Sequence, residues 1–425
     1  MPSVSASPRP ADSFAALRFE SFRWWAAASI AANLGSRALA VVIGFQVYAV
    51  THSTLALGLL GLVEAIPALG LALLGGHFAD RRDRRRIVLV TRAVSVFTAA
   101  GMALASGLPA AGALPVLYAL VFAAGIARGF GDPASSALET QLVPSAVFVN
   151  AAAWMATAWQ GSAIIGPALG GVLFELVGGR TYWLVAGFFA LSTLAAAFTR
   201  PPVAPLTPVA RTEVARTEAE PMWASISAGL RFVRADGAIL GSMALDLFAV
   251  LFGGAVALLP VFAADILHVG ARGLGLLLAA PSVGALAVML FSTRRPPARG
   301  AGRLLLTAVA GFGVSIIVFA LSRNLWLSTL ALGFSGAFDG FSVIIRRSIL
   351  RLRTPNHLRG RVAAVSLVFI GSSNEIGAFE SGVAATLLGA VPSVWLGGLA
   401  TLVVVAVTAW RAPQLRELDL TQAVE

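Results

Sequence analysis

The stretch GGHFADRRDRRRIVL, Gly75 to Leu89, puts five arginines (Arg81, Arg82, Arg84, Arg85 and Arg86) into six positions, with Asp80 and Asp83 among them. It follows about twenty apolar residues, the length that crosses a ~30 Å hydrocarbon core as a helix. If the arginines form a nucleic-acid patch, the chain is a soluble basic protein. If they form the loop that follows a membrane span, the chain is polytopic.

Composition decides for the second. The 425 residues are 58% hydrophobic and 12% charged, and the mean hydropathy is +0.84. Soluble domains carry about 25% charged residues. Apolar blocks of about twenty residues recur along the chain, whereas a transmembrane β-barrel would show alternating segments of about ten. The arginine loop has no aromatic platform or binding fold beside it, so no nucleic-acid partner is expected despite a pI near 11.5.

Apolar runs broken by charge, Gly and Pro predict twelve spans, near 24–50, 55–79, 87–107, 113–133, 150–176, 181–199, 239–263, 273–293, 303–321, 325–346, 362–389 and 392–410. The expected organisation is a cytoplasmic N-terminal segment (1–23), a six-helix half (24–199) and a central linker with an amphipathic helix (200–238). A second six-helix half (239–410) and a cytoplasmic tail (411–425) complete it. Residues 222–236 suit an amphipathic helix lying on the membrane surface. On this map 25 arginines fall on the side of the termini and long loops, and only Arg180, Arg272 and Arg323 fall opposite. The positive-inside rule then places both termini in the cytoplasm, in a multi-pass protein of a bacterial inner or plasma membrane. Trp24, Trp25, Trp183 and Trp326 fall near span ends, where indoles anchor at the interface.

The halves repeat. At an offset of 211 residues, Ser162–Leu173 overlays Ser373–Ala384, Gly129-Phe130 overlays Gly340-Phe341, and Pro144 overlays Pro355. Two six-span repeats in parallel are a transporter architecture with the solute site near the midplane.

Absences limit the chemistry. The chain has no cysteine and no lysine, since all 31 basic residues are arginine. No thiol nucleophile, Walker A lysine or Schiff-base lysine is available, so no ATPase domain is expected in this chain. The four histidines, His52, His77, His268 and His357, lack metal-ligand spacing; neither a metal nor a cofactor is expected, nor enzymatic activity. The first twenty residues do not read as a cleaved signal.

At this point Gly76, Phe78, Ala79, Asp80, Arg81, Arg84 and Arg85 resemble the loop 2–3 signature of the major facilitator superfamily, with Asp83 where a glycine is usual. Gly166, Pro167, Gly170 and Gly171 in the fifth span look like the glycine–proline element of that superfamily's proton-driven exporters. The chain as a whole resembles the enterobactin-exporter-like branch, also called transmembrane secretion effectors. The resemblance implies an all-α membrane protein, with twelve transmembrane helices in two pseudo-symmetric halves. It further implies a monomeric secondary transporter that exports a small amphipathic or hydrophobic solute in exchange for protons. An uptake permease of the same fold, or a transport-inactive receptor or assembly partner, remains an alternative.

Charges inside a membrane are costly and need partners or work to do. The resemblance places spans 1, 4, 7 and 10 around a central cavity, where they supply Arg37, Arg128, Asp246 and Asp339. Those residues are candidates for the solute pathway and for proton coupling. Glu64 in span 2 and Glu375 and Glu380 in span 11 are further candidates. The last two stand five residues apart, on diverging faces of a helix. The same residues also suit fixed ion pairing, as between Arg128 and Asp132 one turn apart. For the signature loop, resemblance implies Asp80 near the N-terminus of span 11, with Arg84 pairing Asp132 as part of a conformational latch. Gly166, Gly170 and Gly171 admit a close neighbouring helix, and Pro167 bends their own.

Overall fold

The computed structural model describes residues 12–200, 222–295, 297, 299–355 and 358–420. Most of the central linker and His357 lie outside the described residues. The membrane-spanning helices are α1 (Glu20–Thr51), α2 (Thr54–Arg81), α3 (Arg84–Ala105), α4 (Ala110–Glu139), α5 (Phe148–Val177) and α6 (Thr181–Phe198). They continue with α7 (Gly237–Phe252, prolonged irregularly to Ile266), α8 (Gly270–Arg294), α9 (Ala301–Leu321), α10 (Leu325–Arg353), α11 (Arg359–Leu388) and α12 (Ala390–Arg411). Ten stretches of the described residues are long and apolar enough to cross a membrane. One of them, Ser145–Phe198, contains both α5 and α6, divided at Gly178–Arg180. The 30-residue α11, whose hydropathy is lowered by its charges and hydroxyls, completes twelve crossings.

Polar side chains at four helix starts accept from orphan backbone N–H groups: Ser53 before α2, Asp83 before α3, Asp236 before α7 and Asn324 before α10. Several helices outrun their apolar limits. The cause is solvated arginine at the ends nearest the termini, which lets α2 run through Arg81 and α10 through Arg353. His77 is helical, and only Arg82 and Asp83 break the chain between α2 and α3.

In the first half α1 packs on α5 and α6, α2 on α4, and α3 on α4 and α6. In the second α8 and α9 pack on α10, and α7, α9 and α11 on α12. Two pairs, α2 with α11 and α5 with α8, make the most extensive junctions between the first six helices and the last six. The sequence repeat governs this packing. Gly125 and Gly129 of α4 sit against α2, with a Cβ on Gly125 placed 2.7 Å from Pro67 Cγ. Their partners at an offset of 211, Gly336 and Gly340 of α10, sit against Pro281 and Ala285 of α8. Gly171 of α5 faces Ala271 and Gly275 of α8, and its repeat partner Gly382 of α11 faces Gly58 of α2.

Two expectations are corrected. The seventh span is not one helix over 239–263. It breaks at Gly253 and Gly254, then passes through 3-10 turns (Ala255–Leu258) and a π turn (Phe262–Ile266). Gly254 lies against Gly377 and Ser381 of α11, too close for a side chain. Nor is Trp25 an interface anchor. It is 1% exposed and stacks under the Arg92 guanidinium, 4.9 Å away, while Trp24, Trp183 and Trp326 are exposed. Successive helical residues point about 100° apart, and here Trp24 faces outward while Trp25 turns inward to Arg92.

Candidate functional site

The glycines that seat α4 on α2 also bring their charges together. Arg128, between Gly125 and Gly129, reaches Glu64 Oε1 at 2.6 Å and lies 3.7 Å from Asp132 one turn away. Glu375 of α11 approaches the same place from the other half. Its Oε2 lies 3.3 Å from where a Cβ on Gly61 would stand, and its charge acts on both Glu64 and Arg128. Glu380, on another face of α11, is half-buried and belongs to no ion pair of the described residues.

The second half has its own cluster, and its centre escaped the sequence reading. Arg346 stands at the last residue of the tenth predicted span, but α10 continues past it to Arg353 and its side chain is only 11% exposed. It pairs with Asp246 of α7, which is 8% exposed, and its second terminal nitrogen lies 4.0 Å from Asp339, which is 48% exposed. Its Nε donates to Ser342 Oγ at 3.1 Å. The missed signal was a spacing: Asp339, Ser342 and Arg346 fall at i, i+3 and i+7, one face of a helix. Two small pockets, each big enough for little more than a water molecule, are lined in part by Asp246. The first is lined by Arg346 and Ser366, the second by Asp339, Phe312 and Phe338. Breaking a buried pair by removing one partner costs about 3–5 kcal/mol, so Asp246 and Arg346 constrain α7 against α10.

Among the described residues Arg37 takes part in no cluster of acids. Its guanidinium lies 5.2 Å from the ring centroid of Trp159 on α5. Gly166 leaves space for its stem, because a Cβ there would collide with Arg37 Cβ. Gly170 admits the backbone of α1, a Cβ on it falling 2.7 Å from Ala38 Cα. Pro167, by contrast, presents its carbonyl to Gly275 of α8. The glycine–proline element thus packs α5 between α1 and α8, against both halves.

The signature hairpin is arranged differently from expectation. Arg84 does not pair with Asp132. It lies 3.3 Å from Asp80 and donates to the carbonyls of Ala79 and Ala137, while Asp132 pairs with Arg128. The reason is direction: Arg84 opens α3 beside the end of α4, and Asp132 sits nearly two turns farther in. Arg85 donates to the Ala197 carbonyl of α6, and Arg81 is exposed. Gly76 has nothing near its absent side chain; the close approach is at Gly75, where a Cβ would fall 2.9 Å from Phe130 Cα. Asp83 accepts from the N–H groups of Arg85 and Arg86, capping α3. Its φ of −63° requires no glycine.

The closest approaches between the halves lie between the helix ends opposite the termini and the helix middles. Tyr48 of α1 donates to Asp265, Thr54 Oγ1 is 2.8 Å from Thr386 Oγ1, and Gly58 meets Gly382. Near mid-height Gln160 donates to the Ser282 carbonyl at 2.6 Å.

The profile of the family described as transmembrane secretion effector matches residues 11–424. The multidrug efflux pump Tap of Mycolicibacterium fortuitum is 26% identical over 404 residues, covering 92% of this chain and 96% of its own. The enterobactin exporter EntS of Salmonella choleraesuis is 27% identical over 368 residues, covering 86% of each chain. Among solved structures, a D-xylose–proton symporter superposes with a TM-score of 0.69 at 15% identity, covering 95% of this chain and all of its own. A peptide-bound POT family transporter superposes with a TM-score of 0.71 at 13% identity, covering 93% and 96%. These last two show the major facilitator fold alone.

Proposed function

The chain belongs to the transmembrane secretion effector family, and from that premise we propose that it exports a small amphipathic or hydrophobic solute in exchange for protons, by alternating access. The observation that carries the coupling is the placing of two carboxylates from different helices, Asp246 and Asp339, on the single guanidinium of Arg346. Three charges with one net negative leave room for one proton. Taking it up on Asp339, the more exposed acid, releases Arg346 to Asp246 alone. Taking it up on Asp246 unties α7 from α10. Either step changes what holds these helices together as the cavity opens to one side or the other, which a coupled carrier needs.

With the termini in the cytoplasm, the contacts Tyr48–Asp265, Thr54–Thr386 and Gly58–Gly382 close the external end, and this is the inward-facing state that receives solute for export. The similarity to pumps named for multidrug and enterobactin efflux supports export over uptake, and drug-like or siderophore-like solutes as the class. The retained charges in α1, α4, α7 and α10 support a working carrier over an inactive receptor, because an inactive scaffold has little need of them.

The test uses everted membrane vesicles with ethidium as the reporter solute. Accumulation is expected to require a proton gradient and to collapse on adding an uncoupler. Accumulation that persists without the gradient refutes proton exchange.

A further inference from the structure

Four arginines stand well inside the spanning helices, and three are fully engaged. Arg92 donates to Ser192 and stacks on Trp25, Arg128 is held by Glu64 and Asp132, and Arg346 by Asp246, Asp339 and Ser342. Arg37 differs. Among the described residues no acid lies within ion-pairing distance of it and none of its five donors makes a hydrogen bond; the Trp159 ring is its partner. A charge at this depth without a counter-charge is costly, and Arg128 adds repulsion rather than relief.

The geometry is that of a receptor. The Trp159 ring lies beneath the guanidinium carbon, and the guanidinium donors, which make no hydrogen bond among the described residues, are the part that matches a carboxylate in a bidentate pair. Trp159 is itself 51% exposed, so its ring has surface left on which a second ring can lie. The site is built rather than accidental. Gly166 of the glycine–proline element gives up its side chain where Arg37 passes, and Gln160, next to Trp159, ties α5 to α8 of the other half. A solute held here therefore sits where the two halves meet at mid-height.

We propose that Arg37 and Trp159 form an anion-and-ring subsite, and that the transported solutes include flat aromatic rings bearing a carboxylate. Arg37 neutralises the carboxylate and Trp159 stacks on the ring. Solute occupancy then supplies the counter-charge that Arg37 lacks. This rests on the reading of the chain as a solute carrier, but not on proton coupling.

The experiment is calorimetric binding to the full chain in lipid nanodiscs, without any gradient. The probes are 2-naphthoate and its neutral methyl ester, which share a ring and differ in charge. A charge-assisted contact worth roughly 1.5–3 kcal/mol corresponds to a preference of about ten- to a hundredfold for naphthoate. Arg37→Gln is expected to bring the two probes within about twofold, Arg37→Lys to retain part of the preference, and Trp159→Ala to weaken both probes. Should Arg37→Gln not fold, the retained preference of Arg37→Lys and the joint weakening in Trp159→Ala are each still required. Naphthoate that does not bind, equal affinity for both probes in the wild type, or a preference unchanged in Arg37→Gln overturns the proposal. Failure of gradient-driven accumulation in vesicles would count against proton exchange and leave this binding result standing.

Discussion

Asp246 of α7 and Asp339 of α10 share one guanidinium, that of Arg346, with Asp246 in direct contact and Asp339 at 4.0 Å. Replacing Arg346 by alanine leaves Asp246 buried without a cation. Because breaking a buried pair costs about 3–5 kcal/mol, Arg346→Ala should lower the thermal midpoint of the detergent-solubilised protein clearly. Adding Asp246→Asn to it should recover much of the loss, since no buried charge is then orphaned. Melting curves of the two single variants and the double variant measure this.

Asp83 is expected to matter for folding and little for transport. Asp83→Ala removes the α3 cap and should cost about 0.5–2 kcal/mol, while Asp83→Asn or Asp83→Gly should cost a few tenths. Thermal midpoints give the ranking, and vesicle accumulation per folded molecule should be the same for all three.

The closure at the helix ends opposite the termini can be read by cross-linking, because the chain contains no native cysteine. Thr54 and Thr386 approach with hydroxyls 2.8 Å apart, so cysteines placed at both should form a disulfide under oxidation. Transport should stop when the bridge forms and resume on reduction. Gly171→Val, which drives a side chain into the backbone of Ala271 in the other cross-half pair, should lower the cross-linking yield by loosening the same end.

Asp236 lies outside the spans, where it caps α7 and accepts from Arg353 Nε at 2.7 Å. Burial alone would raise its pKa. The hydrogen bond from Arg353, the N–H groups of Ile239 and Ala238 and the Arg353 charge outweigh burial and hold the carboxyl below its ordinary value. A folded-state pKa below the unfolded one gives stability that is complete above the unfolded value, near 3.9, and is lost as pH falls through the lowered folded value. Comparing wild type with Asp236→Ala, the difference in thermal midpoint should be full at neutral pH and should shrink only below about pH 4.

Much of the architecture was legible because a membrane demands it: apolar length fixes the spans. The 211-residue repeat was also legible, and it extends further than the sequence match suggested, since it pairs Arg128 with Asp339. What sequence did not show was helix continuation past the apolar limit. Arg346 falls on the last position of the tenth apolar run, and only the continuation of α10 to Arg353 sets it against Asp246. The Glu64–Arg128 contact was hidden for another reason: it depends on which glycines let α4 approach α2. Asp83, standing where a glycine is usual, is a helix cap.

The most direct measurement is proton movement itself, in proteoliposomes containing the purified chain and an internal pH-sensitive dye, with ethidium as solute. Imposing an ethidium gradient should drive protons the opposite way in the wild type, and Asp246→Asn or Asp339→Asn should abolish that movement while leaving the protein folded. Proton movement of wild-type size in both variants would contradict the assignment of coupling to the pair of acids on Arg346.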